Sequence, residues 1–171
     1  MKSAIDVTAM AKILLIGYGN PARGDDGIGP AAAEAVGSWQ LPHVTVDSAY
    51  QLTVEDAAAV AEHDVVLFVD ASVAASEPFC FQPVDPAGAV GFSTHSVEPG
   101  AVMALARELF GAGAAGYVLG IRGYDFGEFR ESLSDHAARN LAAALEFMEP
   151  LLRSGEKSRF MSKLPGASGC L

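Results

Sequence analysis

Three short segments of the sequence carry side chains that could bind a metal ion or transfer a proton. Asp25 and Asp26 are adjacent in a glycine-rich segment. Asp70 ends the apolar run VLFVD, and His95 lies in the segment FSTHSVEP. Carboxylates with an imidazole form a mixed oxygen and nitrogen donor set, which suits a borderline divalent ion and leaves positions open for water or a substrate ligand. Each residue alone also has an ordinary explanation as a loop cap or a solvated side chain, so the hypothesis depends on their meeting in the fold.

The apolar runs predict where these side chains stand. Residues 13–16 form a short apolar run, typical of a parallel strand buried on both faces. Alternation of strands and helices predicts an α/β protein, a three-layer α/β/α sandwich with a mainly parallel, doubly wound sheet of about five strands. Such sheets form their sites at the carboxyl edge, so Asp25 or Asp26, Asp70 and the loop of His95 should share one crevice. The other expected strands are 43–47, 64–70, 79–84 and 116–121, and the expected helices are 30–39, 53–61, one from Ser96 or Glu98 to Leu109, and one capped by Ser134.

The glycine-rich segment also carries a longer pattern. The letters GYGN at 17–20 are followed, after four residues, by DDGIG at 25–29. This combination of an asparagine, paired acids and spaced glycines closely resembles the opening of the hydrogenase maturation endopeptidases. The resemblance extends from about residue 12 to about residue 152. It implies a nickel-dependent protease that removes the C-terminal extension of a nickel–iron hydrogenase large-subunit precursor.

The resemblance also implies roles for particular residues. In the family, metal ligands occupy the positions of Asp26, Asp70 and His95, which are the expected catalytic and metal-binding set. The implied metal is nickel, which the substrate could supply and another divalent ion could replace. Ligand type alone does not select nickel over zinc, cobalt or manganese. Many relatives carry Glu at the position of Asp26, which leaves Asp25 as a possible substitute ligand. The expected site loop comprises Gly19, Asn20, Asp25 and Gly27.

Several functional details stay open in the sequence. The metal is expected to be a recognition handle in the immature large subunit, and either the metal or a carboxylate acting through water would assist attack on the peptide bond. Arg122 and Tyr124, in IRGYDFGE after the last expected strand, are candidates to bind the substrate peptide. Asp47 is followed by Ser-Ala-Tyr, where family members often have Gly-Gly-Thr, so the particular hydrogenase is open.

Length, charge and composition restrict the domain organisation, the partners and the location that the protein can have. The 171 residues suit one domain, expected at 12–153, between a flexible extension at 1–11 and a disordered tail at 154–171. The formal net charge of −10 argues against a nucleic-acid partner, and no apolar run approaches the roughly 18 residues that span a bilayer. The opening MKSAIDVTAM lacks the apolar region of a signal peptide, and two distant cysteines make a structural disulfide unexpected. A cytoplasmic location is therefore predicted, and a monomeric state is expected.

Two alternatives belong to other classes. Residues 17–21 match the Gly-x-Gly-Asn-Pro turn of the peptidyl-tRNA hydrolases, but the chain lacks the Thr-Arg-His-Asn stretch and basic surface of that family. A non-enzymatic nucleotide-binding module would use a glycine-rich loop at a helix start. The segment GYGNPARGDDG lacks the third glycine spacing of GxGxxG, and its acids would repel a phosphate. Both alternatives are secondary to the endopeptidase hypothesis.

Overall fold

The computed structural model describes residues 10–85, 97–127 and 129–163. Among these residues, no helix is both long and apolar enough to cross a membrane. A 3₁₀ turn at Gly24–Gly27 follows the first strand. The strands are β1 (Ile13–Tyr18), β2 (Val44–Ala49), β3 (Val65–Ser72), β4 (Phe79–Pro83) and β5 (Ala115–Arg122). The helices are α1 (Ile28–Gly37), α2 (Asp56–Ala61), α3 (Pro99–Phe110), α4 (Asp135–Ser154) and α5 (Lys157–Ser162).

The strands form one five-stranded sheet in the order β2-β1-β3-β5-β4. The strands β2, β1, β3 and β5 are parallel to one another. At the edge of the sheet, β4 pairs with β5 in the antiparallel direction. The predicted α/β fold with a mainly parallel sheet is therefore confirmed. The chain leaves β1 for β2 on one side and then enters β3 on the other side of β1. In an open α/β sheet, such a reversal leaves a crevice at the carboxyl ends of the strands, which is where Asp26 and Asp70 lie.

Apolar side chains cover both faces of the sheet, because successive residues of a strand point to opposite sides. Ile13 and Leu15 of β1 pack in a cluster with α1 and α4. Leu14 and Ile16 pack in a second cluster with α2 and α3. All four side chains are almost completely buried. The continuous apolar run thus reflects two covered faces, and the predicted three-layer sandwich is confirmed.

Two glycines let the start of α1 lie directly against β1. A Cβ atom on Gly29 would lie 2.2 Å from the carbonyl oxygen of Tyr18. One on Gly17 would lie 2.1 Å from the carbonyl oxygen of Gly29. Neither position has room for a side chain. This contact fixes both ends of the turn that carries Asp26, so it sets one side of the candidate site.

The C-terminal region differs from the sequence-based expectation. The sequence predicts a disordered tail from residue 154, but α5 lies at Lys157–Ser162. Phe160 is fully buried, and its ring centroid lies 5.5 Å from that of Tyr117 in β5. The prediction is wrong for this helix because one buried aromatic residue in a short helix leaves no repeating apolar pattern to detect. Residues 1–9 and 164–171 lie outside the described residues.

The cysteine usage also differs from expectation. Cys80 in β4 is disulfide-bonded, so the expectation that the chain has no structural disulfide is wrong. The other cysteine, Cys170, lies outside the described residues. Distance along the sequence is no measure of distance in the fold, so it does not exclude a disulfide for Cys80. The cysteines therefore give no support for a reducing compartment.

Replacement of Phe160 tests whether α5 belongs to the folded domain. Phe160→Ala should lower the free energy of unfolding by about 3 to 5 kcal/mol, because it opens a cavity against β5. The neighbouring Met161 is 64% exposed, so Met161→Ala should change stability by less than about 0.5 kcal/mol. Urea denaturation of both variants gives the comparison. Equal stability of the two variants would show that α5 does not contribute to the core.

Candidate active site

Two carboxylates meet at the carboxyl edge of the sheet. Asp26 lies in the 3₁₀ turn that follows β1, and Asp70 lies near the end of β3. These strands are direct neighbours, so the two segments leave the sheet side by side. Burial raises the pKa of Asp70, and the nearby charge of Asp26 raises it further. The structure therefore brings together two of the three residues that the sequence proposes as ligands.

The surroundings of Asp70 disfavour its charged form. Burial is the largest cause, and the charges of Asp26 and Glu98 act in the same direction. The backbone N–H of Ala71 donates to Oδ1 at 2.8 Å, and Tyr18 also hydrogen-bonds to the carboxylate. These two bonds offset only part of the effect, and the pKa of Asp70 is raised to about 7. Asp70 can therefore gain or lose a proton near neutral pH, as groups at functional sites often do.

Tyr18 and Glu98 belong to the site, although neither stands out in the sequence. Burial, followed by the charges of Asp70 and Glu98, raises the pKa of Tyr18 well above its ordinary value. Its hydroxyl therefore stays protonated and can donate to Asp70. The pairing of β1 with β3 would have indicated this contact. β1 and β3 pair Ile16 with Phe68, and the same register two residues on sets Tyr18 beside Asp70.

The loop after β1 holds the carboxylate of Asp26. The backbone N–H of Asn20 donates to Oδ2 of Asp26 at 2.9 Å. Oδ1 of Asn20 accepts the N–H of Ala22 at 2.9 Å, which closes a local turn. Gly19 has a φ of 139°, and a Cβ there would lie 2.0 Å from the carbonyl oxygen of Asp26. Gly19 and Asn20 thus hold Asp26 from one side, and Gly27 ends the turn that contains it.

Asp25 has different surroundings from its neighbour Asp26. Its side chain is fully buried and accepts the backbone N–H groups of Tyr124, Asp125 and Ser134, together with the Ser134 hydroxyl. Burial alone would raise the pKa of Asp25. The hydrogen bonds outweigh burial and hold the pKa below its ordinary value. Both oxygens of Asp25 are therefore engaged within the protein, whereas Asp26 lies near Asp70.

Arg122 and Tyr124 contact each other and their neighbours. The guanidinium carbon of Arg122 lies 5.4 Å from the ring centroid of Tyr124, and Nη1 donates to the carbonyl oxygen of Ala75 at 3.2 Å. The Tyr124 hydroxyl hydrogen-bonds to the Glu77 carboxylate and accepts Nδ2 of Asn140 at 2.9 Å. These contacts hold the loop after β5. A role of the two residues in binding the substrate peptide stays a prediction.

His95 lies in the interval 86–96, outside the described residues. The parts of the chain that are described contain no group of three His, Cys, Asp or Glu side chains that could hold a metal ion. The chain re-enters the described part close to the carboxylates, since the charge of Glu98 acts on Asp70. The donor chemistry fits a divalent cation, because its charge would offset the repulsion between Asp26 and Asp70.

Comparison with known proteins gives matches among solved structures. No family model matches the chain, and no curated protein matches it. The chain is similar to the [NiFe] hydrogenase maturation protease HycI from Thermococcus kodakarensis, with 26% identity, a TM-score of 0.68 and coverage of 86% of this chain and 97% of that one. The hydrogenase 2 maturation peptidase from a Thaumarchaeota archaeon has the same fold, with 21% identity, a TM-score of 0.60 and coverage of 82% and 97%. So does the hydrogenase maturating endopeptidase HybD from E. coli, with 20% identity, a TM-score of 0.63 and coverage of 84% and 93%.

The fold and the paired carboxylates at its carboxyl edge define an α/β protein of the same architecture as these peptidases. The match to HycI extends over nearly the whole of that protease. The resemblance in the sequence and the likeness in structure therefore point to the same proteins, the hydrogenase maturation endopeptidases.

The raised pKa of Asp70 predicts an unusual dependence of stability on pH in the metal-free protein. Asp70 has a pKa of about 7 when folded, against about 3.9 in an unfolded chain. Between these values the folded state holds a proton that the unfolded state lacks, so this group makes the protein less stable as pH rises. Asp70→Asn removes the effect and should raise the free energy of unfolding at pH 8 by about 1 to 3 kcal/mol.

Denaturation at pH 5 and pH 8 measures this difference, and Asp64→Asn is the matched control. Asp64 is an exposed carboxylate at the amino end of β3, where it accepts the N–H of Lys12. Its replacement should not produce a gain in stability at pH 8. Loss of stability in Asp70→Asn at pH 8 would mean that the charged carboxylate stabilises the fold, which is the opposite of what its raised pKa implies.

Proposed function

We propose that this protein is an endopeptidase that removes the C-terminal extension of a [NiFe]-hydrogenase large-subunit precursor after nickel insertion. The observation that carries the proposal is the pair Asp26 and Asp70, two electrostatically coupled carboxylates at the carboxyl edge of the sheet. The structural likeness to HycI, a [NiFe] hydrogenase maturation protease, supports the same activity. The precursor of the large subunit is thus the proposed protein partner.

In this proposal the nickel arrives as part of the precursor, and Asp26, Asp70 and His95 contact it. Carboxylate oxygen and imidazole nitrogen suit a borderline ion of this kind. Asp70, with its pKa of about 7, can release its proton when a cation approaches. Nickel would supply positive charge that polarises a nearby carbonyl group or water.

The side chains around the carboxylates have separate tasks. The backbone N–H of Asn20 holds Asp26, and the hydroxyl of Tyr18 holds Asp70. Asp26 and Asp70 are the groups available to accept a proton from the attacking water, as in an aspartyl-type hydrolase. A pKa near the working pH suits a general base, because the group is then both unprotonated and basic enough to take the proton.

A metal check would let the protease reject an immature substrate. Specificity is a difference between two binding free energies, and nickel contributes to only one of the two forms of the precursor. Cleavage is irreversible, so a check before it prevents premature processing. A monomeric state and a cytoplasmic location stay predictions from the sequence.

The charge of the site disfavours the two alternative functions. Asp26, Asp70 and Glu98 put negative charge at the edge of the sheet where a nucleotide phosphate or a tRNA backbone would have to approach. A substrate that carries a cation is the better match for these three carboxylates.

Cleavage of two forms of the precursor tests the proposal. Incubation with nickel-loaded precursor should release the C-terminal extension, whereas nickel-free precursor should stay intact. Asp26→Asn and His95→Ala should each slow cleavage of the loaded form by about 100-fold or more, because each removes a contact with the metal. Asp26→Glu should retain much of the rate, since a longer carboxylate can still reach the ion. Mass spectrometry follows the loss of the extension.

Two substitutions at the opposite edge of the sheet serve as controls. Asp64→Asn and His63→Ala alter the same residue types just before or at the amino end of β3, and neither should change the rate. Equal cleavage of both precursor forms would refute metal recognition and leave the protease assignment in place. Absence of cleavage with both forms would contradict the proposed function.

A further inference from the structure

The carboxylate of Asp25 joins three separate segments of the chain. Oδ2 accepts the backbone N–H groups of Tyr124 and Asp125 at 2.8 and 2.9 Å. The same oxygen accepts the hydroxyl of Ser134 at 2.8 Å, and Oδ1 accepts the N–H of Ser134 at 2.7 Å. The turn after β1, the loop after β5 and the start of α4 therefore meet at one buried side chain.

These partners require an acceptor at this position. Three of the four donors are backbone N–H groups, which cannot reverse their role. An ionised carboxylate offers only acceptors and satisfies all of them. Asparagine has nearly the same shape, but it would turn an NH₂ group toward N–H donors and leave buried polar groups unpaired. The identity of residue 25 is thus set by charge and hydrogen bonding rather than by volume.

The contacts of Asp25 also restrain the residue that follows it. The backbone N–H of Asp25 donates to the carbonyl oxygen of Asp125 at 2.7 Å, so both its main chain and its side chain are tied to the loop after β5. The carboxylate of Asp26 has weaker support of its own. Within the described ranges it accepts one hydrogen bond, from the N–H of Asn20 at 2.9 Å.

We propose that Asp25 is a positioning residue whose buried carboxylate fixes the turn so that Asp26 lies beside Asp70. The two adjacent acids then have distinct tasks, one holding the loop and the other facing the substrate. The effect on position follows from the contacts alone. Its importance for cleavage rests on the proposed function.

Hydrogen exchange of the metal-free, full-length protein tests the effect on position. The amide of Asn20 is the reporter, because it bonds to Asp26 and makes no contact with the Asp25 carboxylate. In Asp25→Asn this amide should exchange at least about 10-fold faster than in the wild type, in addition to faster exchange at Tyr124, Asp125 and Ser134. Met148→Ala, which removes a buried side chain in α4, controls for lost stability and should leave Asn20 near the wild-type rate after correction for global unfolding.

A kinetic comparison separates positioning from a purely structural role. With nickel-loaded precursor, Asp25→Asn should lower kcat about 10-fold or more while KM stays within about threefold, because docking of the large partner is retained. Met148→Ala, assayed below its melting temperature, should keep the wild-type kcat. If the wild type cuts no precursor, the proposed function fails, and the exchange rate of Asn20 still decides whether Asp25 positions Asp26.

A milder substitution covers the case in which Asp25→Asn does not fold. Ser134→Ala removes one of the four hydrogen bonds to Asp25 and should speed exchange of the Asn20 amide about threefold. Wild-type protection of Asn20 in a folded Asp25→Asn variant would overturn the proposal. Where that variant does not fold, unchanged exchange in Ser134→Ala would overturn it as well.

Discussion

Burial of the Asp70 carboxylate, with repulsion from the neighbouring Asp26 added to it, governs the construction of the candidate site. Asp26 and Asp70 are brought together because they follow or end neighbouring parallel strands at the point where the connection order reverses. Burial, and to a smaller extent the charge of Asp26, raises the pKa of Asp70 to about 7, so a negative charge on Asp70 is unfavourable there. A cation is the simplest means of relieving this repulsion, so the site is better suited to a metal-bearing substrate than to an anion.

The surrounding protein supports this unfavourable arrangement from two directions. On the sheet side, Tyr18 hydrogen-bonds to Asp70 from the adjacent strand. On the loop side, the buried carboxylate of Asp25 ties the turn to residues 124, 125 and 134. Active sites often retain groups that reduce stability, because the neighbouring structure over-determines their position. In this protein the stabilised acid Asp25 and the destabilised acid Asp70 both lie at one edge of the sheet.

Much of the fold could be predicted because its determinants are local. The runs at β1 and β3 are apolar without a break, Ser134 is a strong helix cap whose hydroxyl accepts the N–H of Ala137, and Pro78 and Pro83 mark β4 as an edge strand. The helix α5 could not be predicted, because its one buried side chain, Phe160, finds its partner in a distant strand.

The different roles of the two adjacent aspartates could be recognised only from the structure. Asp25 and Asp26 are identical in type, and the sequence allows either of them to be a ligand. Their roles separate only through contacts with residues about a hundred positions away, such as Tyr124 and Ser134. Tyr18 is an intermediate case. Period-two alternation along β1 already places it on the face of Ile16, but its contact with Asp70 depends on the register between two strands.

The proposed mechanism depends most on whether Asp26 and Asp70, with His95, form one site for nickel. A crystal of the full chain soaked in nickel, with diffraction data collected at and below the nickel absorption edge, locates the ion directly. We expect one anomalous peak next to the carboxylates of Asp26 and Asp70 and the ring of His95, with none at Asp25. A nickel ion bound elsewhere, with the space between Asp26 and Asp70 empty, would contradict the mechanism.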